Sequence, residues 1–297
     1  SDPLNPAGNP FVAKLTEPMQ RAANHFIFPI CITFAIRLIL EPGIVLRAPL
    51  WLLVNLAILA SMALLTRLPL GTGSRRLHWQ AAMLFIVGIN CGYQATGRFM
   101  RAAGGWRADE WLHAIDIHLL GGQDAQAWLA PFYAPWLTDV MALAYVFFLV
   151  LLPLTSLYYV VSATDRQRAE YWLGLMTVYG WGLAGYFLLP AAGPYLHHPQ
   201  LVAPLQHGWV SAPIHAFIAQ QTTGVDVWPS LHCAGALYIA LWLWRAAPRF
   251  GRLVTIPCAL VIISTMYMQY HYFIDVVCGC ILACIAARFA WKANHEH

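Results

Sequence analysis

Long apolar runs separated by short polar stretches dominate the chain. Eight of them come close to the roughly 20 residues that a helix needs to cross a bilayer. They lie near 26–42, 49–67, 79–97, 135–161, 169–189, 230–246, 252–268 and 271–290. A transmembrane β-barrel would instead show short segments of alternating polarity. The last two runs nearly touch, which predicts a tight helical hairpin. The first reads as a membrane anchor rather than a cleaved signal. Segment 11–25 is weakly amphipathic. Segment 106–130 is more strongly so, with Trp106, Trp111, Leu112, Ile115, Leu119 and Leu120 set among Asp and His. Both are expected either to lie in the interface plane, a level that suits Trp, or to serve as ordinary helical connectors. The pattern predicts an all-α polytopic transmembrane bundle of about eight spans. Residues 1–78 add two helices to a six-helix catalytic core in 79–297, which includes an interfacial segment 98–134.

Composition sharpens this picture. Of the 297 residues, 60% are hydrophobic and 10% charged, against about 25% charged in an average soluble domain. That argues against a soluble enzyme, a disordered chain or a nucleic-acid partner, and the net charge of +4 reports mainly on where the loops face. The seven cysteines all fall inside or at the ends of apolar runs. They read as buried small hydrophobes rather than a disulfide framework. Basic residues are lopsided. With the N-terminus placed inside, the inner side holds Lys14, Arg21, Arg67, Arg75, Arg76, Arg166, Arg168, Arg245, Arg249, Arg252, Arg288 and Lys292. The outer side holds only Arg47, Arg98, Arg101 and Arg107, and Arg37 lies within the first run. The positive-inside rule then predicts cytoplasmic termini in a bacterial inner membrane, with loops 98–134 and 190–229 and the turn at 269–270 on the periplasmic side.

Two polar clusters interrupt the apolar pattern, both on that outer side. Pro229-Ser230-Leu231-His232 opens the sixth run and His271-Tyr272-Phe273-Ile274-Asp275 opens the eighth. Ionisable groups there are costly unless they are paired or face a polar cavity. His271 and Asp275 are four residues apart and share one helix face. The carboxylate can fix the imidazole tautomer and leave the other nitrogen free as a nucleophile. His232, as an imidazolium, can protonate a departing oxygen. Ser230 and the open amides of the helix start can hold phosphate oxygens. Taken singly, a His–Asp pair at this spacing is an ordinary helix contact, and Pro-Ser a common helix start. The two clusters together, about forty residues apart at two helix starts on one face, point to catalysis.

These residues resemble the type 2 phosphatidic acid phosphatase superfamily, whose pattern is Pro-Ser-Gly-His followed by Ser-Arg, five residues, His, three residues and Asp. Here Leu231 replaces Gly, and Ser264-Thr265 replaces Ser-Arg ahead of His271 and Asp275. The early Lys–Arg-Pro signature is absent, since the chain has no Arg-Pro. Pro-Ser-Leu-His with His-Tyr-Phe-Ile-Asp-Val-Val-Cys-Gly is closer to the inositol phosphorylceramide synthases and their bacterial relatives. Weaker echoes of that branch are Asp116 through Gly121-Gly122, Trp128, Tyr145 and Tyr186-x3-Pro190-x3-Pro194. The resemblance covers roughly residues 80–290. It implies that His271 forms a phosphohistidine, Asp275 orients it, and His232 acts as general acid and later base.

A phosphate monoester dianion calls for several cationic donors, and two of the superfamily's usual ones are missing. A phosphodiester carries one charge and needs fewer. The expected reaction is therefore transfer of a phospho-head group from a phospholipid donor to a lipid hydroxyl, as in sphingolipid metabolism. One alternative is a lipid phosphate phosphatase that uses water on phosphatidate or a polyprenyl (pyro)phosphate. Another is a non-catalytic transporter or scaffold, against which stands the lack of paired halves. Arg98, Arg101 and Arg107 sit where the charge rule would exclude them, and phosphate binding or lipid head-group contact would each account for them. Tyr195 and His198, in the outer loop, are further phosphate-binding candidates. His197, His198, His207, His215 and Asp226 share that loop but match no familiar metal-ligand spacing, so no metal and no cofactor are expected. His113 and His118 fall on the interfacial segment, and His295 and His297 on a terminal tail.

Overall fold

The computed structural model describes the backbone of residues 10–67, 73–199, 205 and 208–293, and the side chains of 18–67, 78–199, 205 and 208–292. Lys14, Arg75, Arg76, His207, His295 and His297, weighed above, fall outside the described side chains. The chain forms α1 (Pro10–Leu40), α2 (Ile44–Arg47), α3 (Pro49–Leu65) and α4 (Gly73–Met83), which runs through a π-helical stretch (Leu84–Cys91) into α5 (Gly92–Ala103). Then come α6 (Asp109–Leu119), α7 (Ala125–Leu129), a 3-10 turn (Ala130–Phe132), α8 (Pro135–Val161), α9 (Asp165–Leu188), α10 (Pro194–His197) and α11 (Ser211–Gln221). The chain closes with α12 (Leu231–Ala246), α13 (Pro248–Tyr267) and α14 (Phe273–Ala293). No strand occurs among the described residues, only an isolated bridge between Ala191 and Asp226. This is an all-α membrane bundle.

The helix starts follow local chemistry. Pro49, Pro135 and Pro248 stand at the first turns of α3, α8 and α13, where a missing N–H costs nothing. Thr164 and Gln167 form a capping box on α9, and Ser230 caps α12. Among the described residues four segments are both long and apolar enough to cross a bilayer: Pro18–Leu40, Pro135–Val161, Pro248–Tyr267 and Phe273–Lys292. α3 is apolar but shorter, α12 has 16 residues, and α9 opens on Asp165, Arg166, Arg168 and Glu170.

α9 is the axis of the bundle, buried on nearly every side from Arg168 to Phe187. A helix apolar all round belongs in such a centre. α1 lies along it, and α12, α14 and α5 flank it. Contact with α1 is close at Gly180, where an added Cβ would sit 2.4 Å from the His25 carbonyl. Phe26, Met176, Leu183 and Tyr238 share one core, so α1 packs into the same interior as the helices bearing the two polar clusters. The last two runs become α13 and α14, joined by the short turn 268–272 and in contact with each other. α13 packs mainly on α12 and α8 while α14 packs mainly on α12 and α9, and the two touch each other less.

Candidate active site

The two polar clusters meet. Ser230, fully buried, accepts the Cys233 amide through Oγ at 3.3 Å and so starts α12. Its own amide donates to the Asp275 carbonyl at 3.1 Å, a direct backbone tie between the clusters. Gly279, one turn along α14, makes this possible, since a Cβ there would lie 2.5 Å from the Ser230 carbonyl oxygen. Backbone cannot yield as a side-chain tip can. Gly279→Ala is therefore expected to cost about 1–3 kcal/mol through overpacking and to lower turnover by parting the two helix starts. Thermal unfolding and turnover of the purified variant check this, and an unchanged pair of values would show the contact to be soft.

The ring centroids of His232 and His271 are 6.4 Å apart. Asp275, fully buried, places Oδ2 3.6 Å from His271 Nδ1 and accepts the Tyr272 amide at 2.9 Å. The His–Asp gap is ion-pair range rather than a closed hydrogen bond, as catalytic pairs without substrate often are. His232 is held between aromatic rings. Tyr145 stacks on it at 4.2 Å and 17°, and Phe148 leans on it at 4.9 Å. The Nε2 of His232 is buried without a partner. Both imidazoles line a cavity of about 550 Å³. Its wall includes Ile89, Phe148, Leu149 and Phe217 on the apolar side, and Tyr93, Tyr186, Tyr195, Tyr270, Asp226 and Arg98 on the polar side.

The other candidates divide. Tyr195 lines the cavity, its ring 5.2 Å from that of Tyr270. Arg98 also lines it, its guanidinium 5.5 Å over Trp51 and its Nε donating to Gln94 at 3.3 Å. Arg101 and Arg107 are outside the wall. Arg107 donates to the Gly224 carbonyl at 2.5 Å, and Arg101 is exposed. His198 is also outside, its ring 5.4 Å from His113 and 4.4 Å from His197. Burial, helped by these two neighbours, pulls its pKa below the usual histidine value. Thr265, where the pattern has Arg, is fully buried and donates to the Ile262 carbonyl at 2.7 Å. It supplies no positive charge. Leu231, in place of the pattern's Gly, is buried against α9 at Gly182.

Two aspartates of α6 brace the segment that carries His271 from outside. Asp116 accepts the amides of Phe273 and Ile274 at 2.6 and 2.9 Å, so a carboxylate from a remote helix caps α14. Burial raises its pKa even against those two amides. Asp109 accepts the amides of Ala192 and Gly193 at 2.9 Å each and the Tyr272 hydroxyl at 3.1 Å. α6 thus turns Asp109 and Asp116 inward while Trp111 and Leu119 stay exposed, an amphipathic helix whose polar face is the buried one. Asp226 gathers a third cluster. It accepts from the Tyr93 hydroxyl, from Thr222 Oγ1 at 3.0 Å and from the Thr223 amide at 3.3 Å. Among the described residues no group of three His, Cys, Asp or Glu is placed to hold a metal.

A PA-phosphatase related-family protein of Dictyostelium discoideum is 43% identical over 47 residues, which is 16% of this chain and 8% of that protein. The match thus spans under a tenth of the relative's length. No solved structure matches the chain. The PAP2 superfamily pattern matches residues 110–289. That stretch contains His232, His271 and Asp275 and is more than half of the sequence, and by it the chain belongs to the PAP2 superfamily.

Proposed function

We propose that this chain is an integral-membrane phosphotransferase that moves a phospho-head group from a phospholipid donor to a lipid hydroxyl through a phosphohistidine on His271. Superfamily membership supports lipid phosphate activity of the phosphatase or phosphotransferase type. The observation that carries the finer reading is the pair of imidazoles 6.4 Å apart on one cavity, with Asp275 behind His271. An attacking nitrogen sits about 3 Å from its target atom, and an acid about 2.8 Å from the oxygen it protonates. One phosphoryl group between the rings satisfies both.

Asp275 holds the proton on His271 Nδ1, which leaves Nε2 as the nucleophile. Nε2 attacks phosphorus, and the bond from phosphorus to the diacylglycerol oxygen breaks. That oxygen takes the proton of His232 Nε2. His232, now neutral, removes the proton of the incoming lipid hydroxyl. The hydroxyl oxygen attacks phosphorus, the P–N bond breaks, and both histidines return to their starting states. At the start of α12, Leu231 and His232 line the cavity, while Ser230 is buried behind it with its hydroxyl on the Cys233 amide, so Ser230 serves the helix start rather than the phosphate. Arg98 is the one Lys or Arg in the described wall, and the missing family arginine is replaced by buried Thr265. Such a site suits the single charge of a phosphodiester better than a monoester dianion. The apolar wall at Leu149 and Phe217 suits lipid tails. The basic-residue asymmetry supports a cavity on the outer side of the membrane, and the Pro-Ser-Leu-His variant supports the head-group-transferring branch that it resembles.

The test is incubation of purified protein with phospholipids labelled in the head group plus a lipid alcohol, followed by mass spectrometry of the lipids. Label and phosphate together on the alcohol are expected. Release of inorganic phosphate from phosphatidate or a polyprenyl pyrophosphate, with no transfer, would overturn the reading in favour of a phosphatase.

A further inference from the structure

Two imidazoles face one cavity, and their surroundings differ. His271 has a carboxylate behind it, with Asp275 Oδ2 3.6 Å from Nδ1. His232 has no carboxylate in ion-pair range among the described residues. Yet the cycle above puts a positive charge on His232, and a charge in a largely apolar setting is costly without compensation. Within the protein, that compensation has to come from what touches the ring. Tyr145 of α8 lies nearly flat on it, with centroids 4.2 Å apart and planes at 17°. Phe148 leans on it at 4.9 Å and 51°. The face of an aromatic ring attracts a cation that lies within about 6 Å of its centroid. The Tyr145 hydroxyl is 3.5 Å from His232 Nδ1, at the outer limit of a hydrogen bond. Near-parallel planes also hold that oxygen above the imidazole, whereas the hydrogen on Nδ1 points within its plane. The face of Tyr145, rather than its hydroxyl, is therefore the group that meets the charge. The ring itself is fixed. Tyr145 is buried, and Tyr270, the neighbour of His271 in the chain, leans on it at 4.6 Å with its own hydroxyl 3.0 Å from His215 Nδ1 on α11.

We propose that Tyr145 is a positioning residue for proton transfer, whose ring face stabilises the imidazolium of His232 and so keeps His232 able to act as the acid of the first step. The proposal rests on the reading of His232 as general acid and names what makes it one. It separates the two histidines by environment, a carboxylate behind the nucleophile and an aromatic face under the acid. A carboxylate against His232 would stabilise the imidazolium more strongly, but it would also repel the phosphate that must lie between the two rings. A ring face adds no net charge to a site that binds an anion.

Fluorine drains electron density from an aromatic face with little change in size. Full-length protein in detergent is made with phenylalanine, or with mono-, di- or trifluorophenylalanine, in place of Tyr145. Two reactions are followed. One is diacylglycerol release from mixed micelles of phosphatidylethanolamine, phosphatidylglycerol and phosphatidylinositol in equal parts, where the leaving oxygen needs a proton. The other is the nitrophenol burst from bis(p-nitrophenyl) phosphate, where it needs none. Tyr145→Phe is expected to release diacylglycerol within about 3-fold of the parent rate, the worth of one weak hydrogen bond. Each added fluorine is expected to slow release further, to about 10-fold below Tyr145→Phe in the trifluorinated protein, on the scale of a desolvated cation–π contact. The nitrophenol burst is expected to stay level across the series. Arg98, Asp226 and the His271–Asp275 pair are the same in every member, so the series reads the ring alone. Diacylglycerol release that ignores fluorine, or a nitrophenol burst that falls as steeply, would overturn the proposal. So would a Tyr145→Phe protein as slow as the trifluorinated one, which would give the role to the hydroxyl. His232→Ala distinguishes this failure from failure of the reading beneath it. If His232→Ala affects the two reactions unequally while fluorine does nothing, only the role of Tyr145 falls. If His232→Ala affects them equally, or the parent releases no diacylglycerol, the acid reading falls and the proposal with it.

Discussion

His271→Ala is expected to reduce turnover to background, a loss of about 10⁴-fold or more by analogy with removal of other covalent nucleophiles. His271 is 5% exposed, its Nδ1 faces Asp275, and the residue lines the cavity opposite His232. If its Nε2 forms the phosphorus–nitrogen bond, nothing else in the described wall can replace it. A phenol is a far weaker nucleophile at neutral pH than an imidazole nitrogen, and His232 is needed for the proton. The variant also removes the partner of a fully buried carboxylate, and an uncompensated buried charge can cost 3–5 kcal/mol on the scale of broken buried ion pairs. His271→Gln, which keeps a polar group near Asp275, separates that effect from chemistry. It should unfold close to the parent temperature and still fail to turn over. The direct readout is acid-labile, base-stable label on the protein after rapid quenching with a phosphorus-labelled donor, present in the parent and absent in both variants. Turnover in His271→Gln within 10-fold of the parent would remove His271 as nucleophile.

What was legible in the chain follows from how local each feature is. The run 135–161 became α8 with the same bounds, because a proline at its start and unbroken apolarity within it are written in adjacent residues. The run 79–97 became part of a longer helical stretch with a π-helical middle. That widening accompanies contacts with other helices, such as Gly88 against Met62, which no local pattern encodes. The face shared by His271 and Asp275 could be read from their spacing alone. That His232 would face them came from the pairing of two motifs, and the tie that joins them, Ser230 to Asp275 with Gly279 leaving room, spans 45 positions and has no periodic signal. The bracing aspartates were harder still. Asp116 meets its amide partner 157 positions away, and on sequence it is one more polar residue on an amphipathic helix. Likewise Arg98, Arg101 and Arg107 were indistinguishable by side of the membrane. Only the packing of α5 shows that Arg98 alone of the three reaches the cavity wall.

His232→Ala is expected to slow transfer from a natural phospholipid by about 10²–10⁴-fold, the usual contribution of a general acid or base. The histidine is clamped by Tyr145 and Phe148 with Nε2 left unpartnered, so its free nitrogen is reserved for whatever enters the cavity. A diacylglycerol oxygen leaves poorly without a proton. A p-nitrophenyl phosphodiester releases a stabilised phenolate that needs none. The two donors should therefore respond differently. With the nitrophenyl donor, His232→Ala should still release one equivalent of nitrophenol per protein at a rate within about 10-fold of the parent, because the first step no longer needs the acid. The second step still needs a base to deprotonate the incoming hydroxyl, so labelled phosphohistidine should accumulate in this variant and in no other. A loss of the nitrophenol burst as deep as the loss with the natural donor would mean that His232 positions the phosphate rather than moving a proton, since positioning is required for either leaving group while proton donation is required for only one.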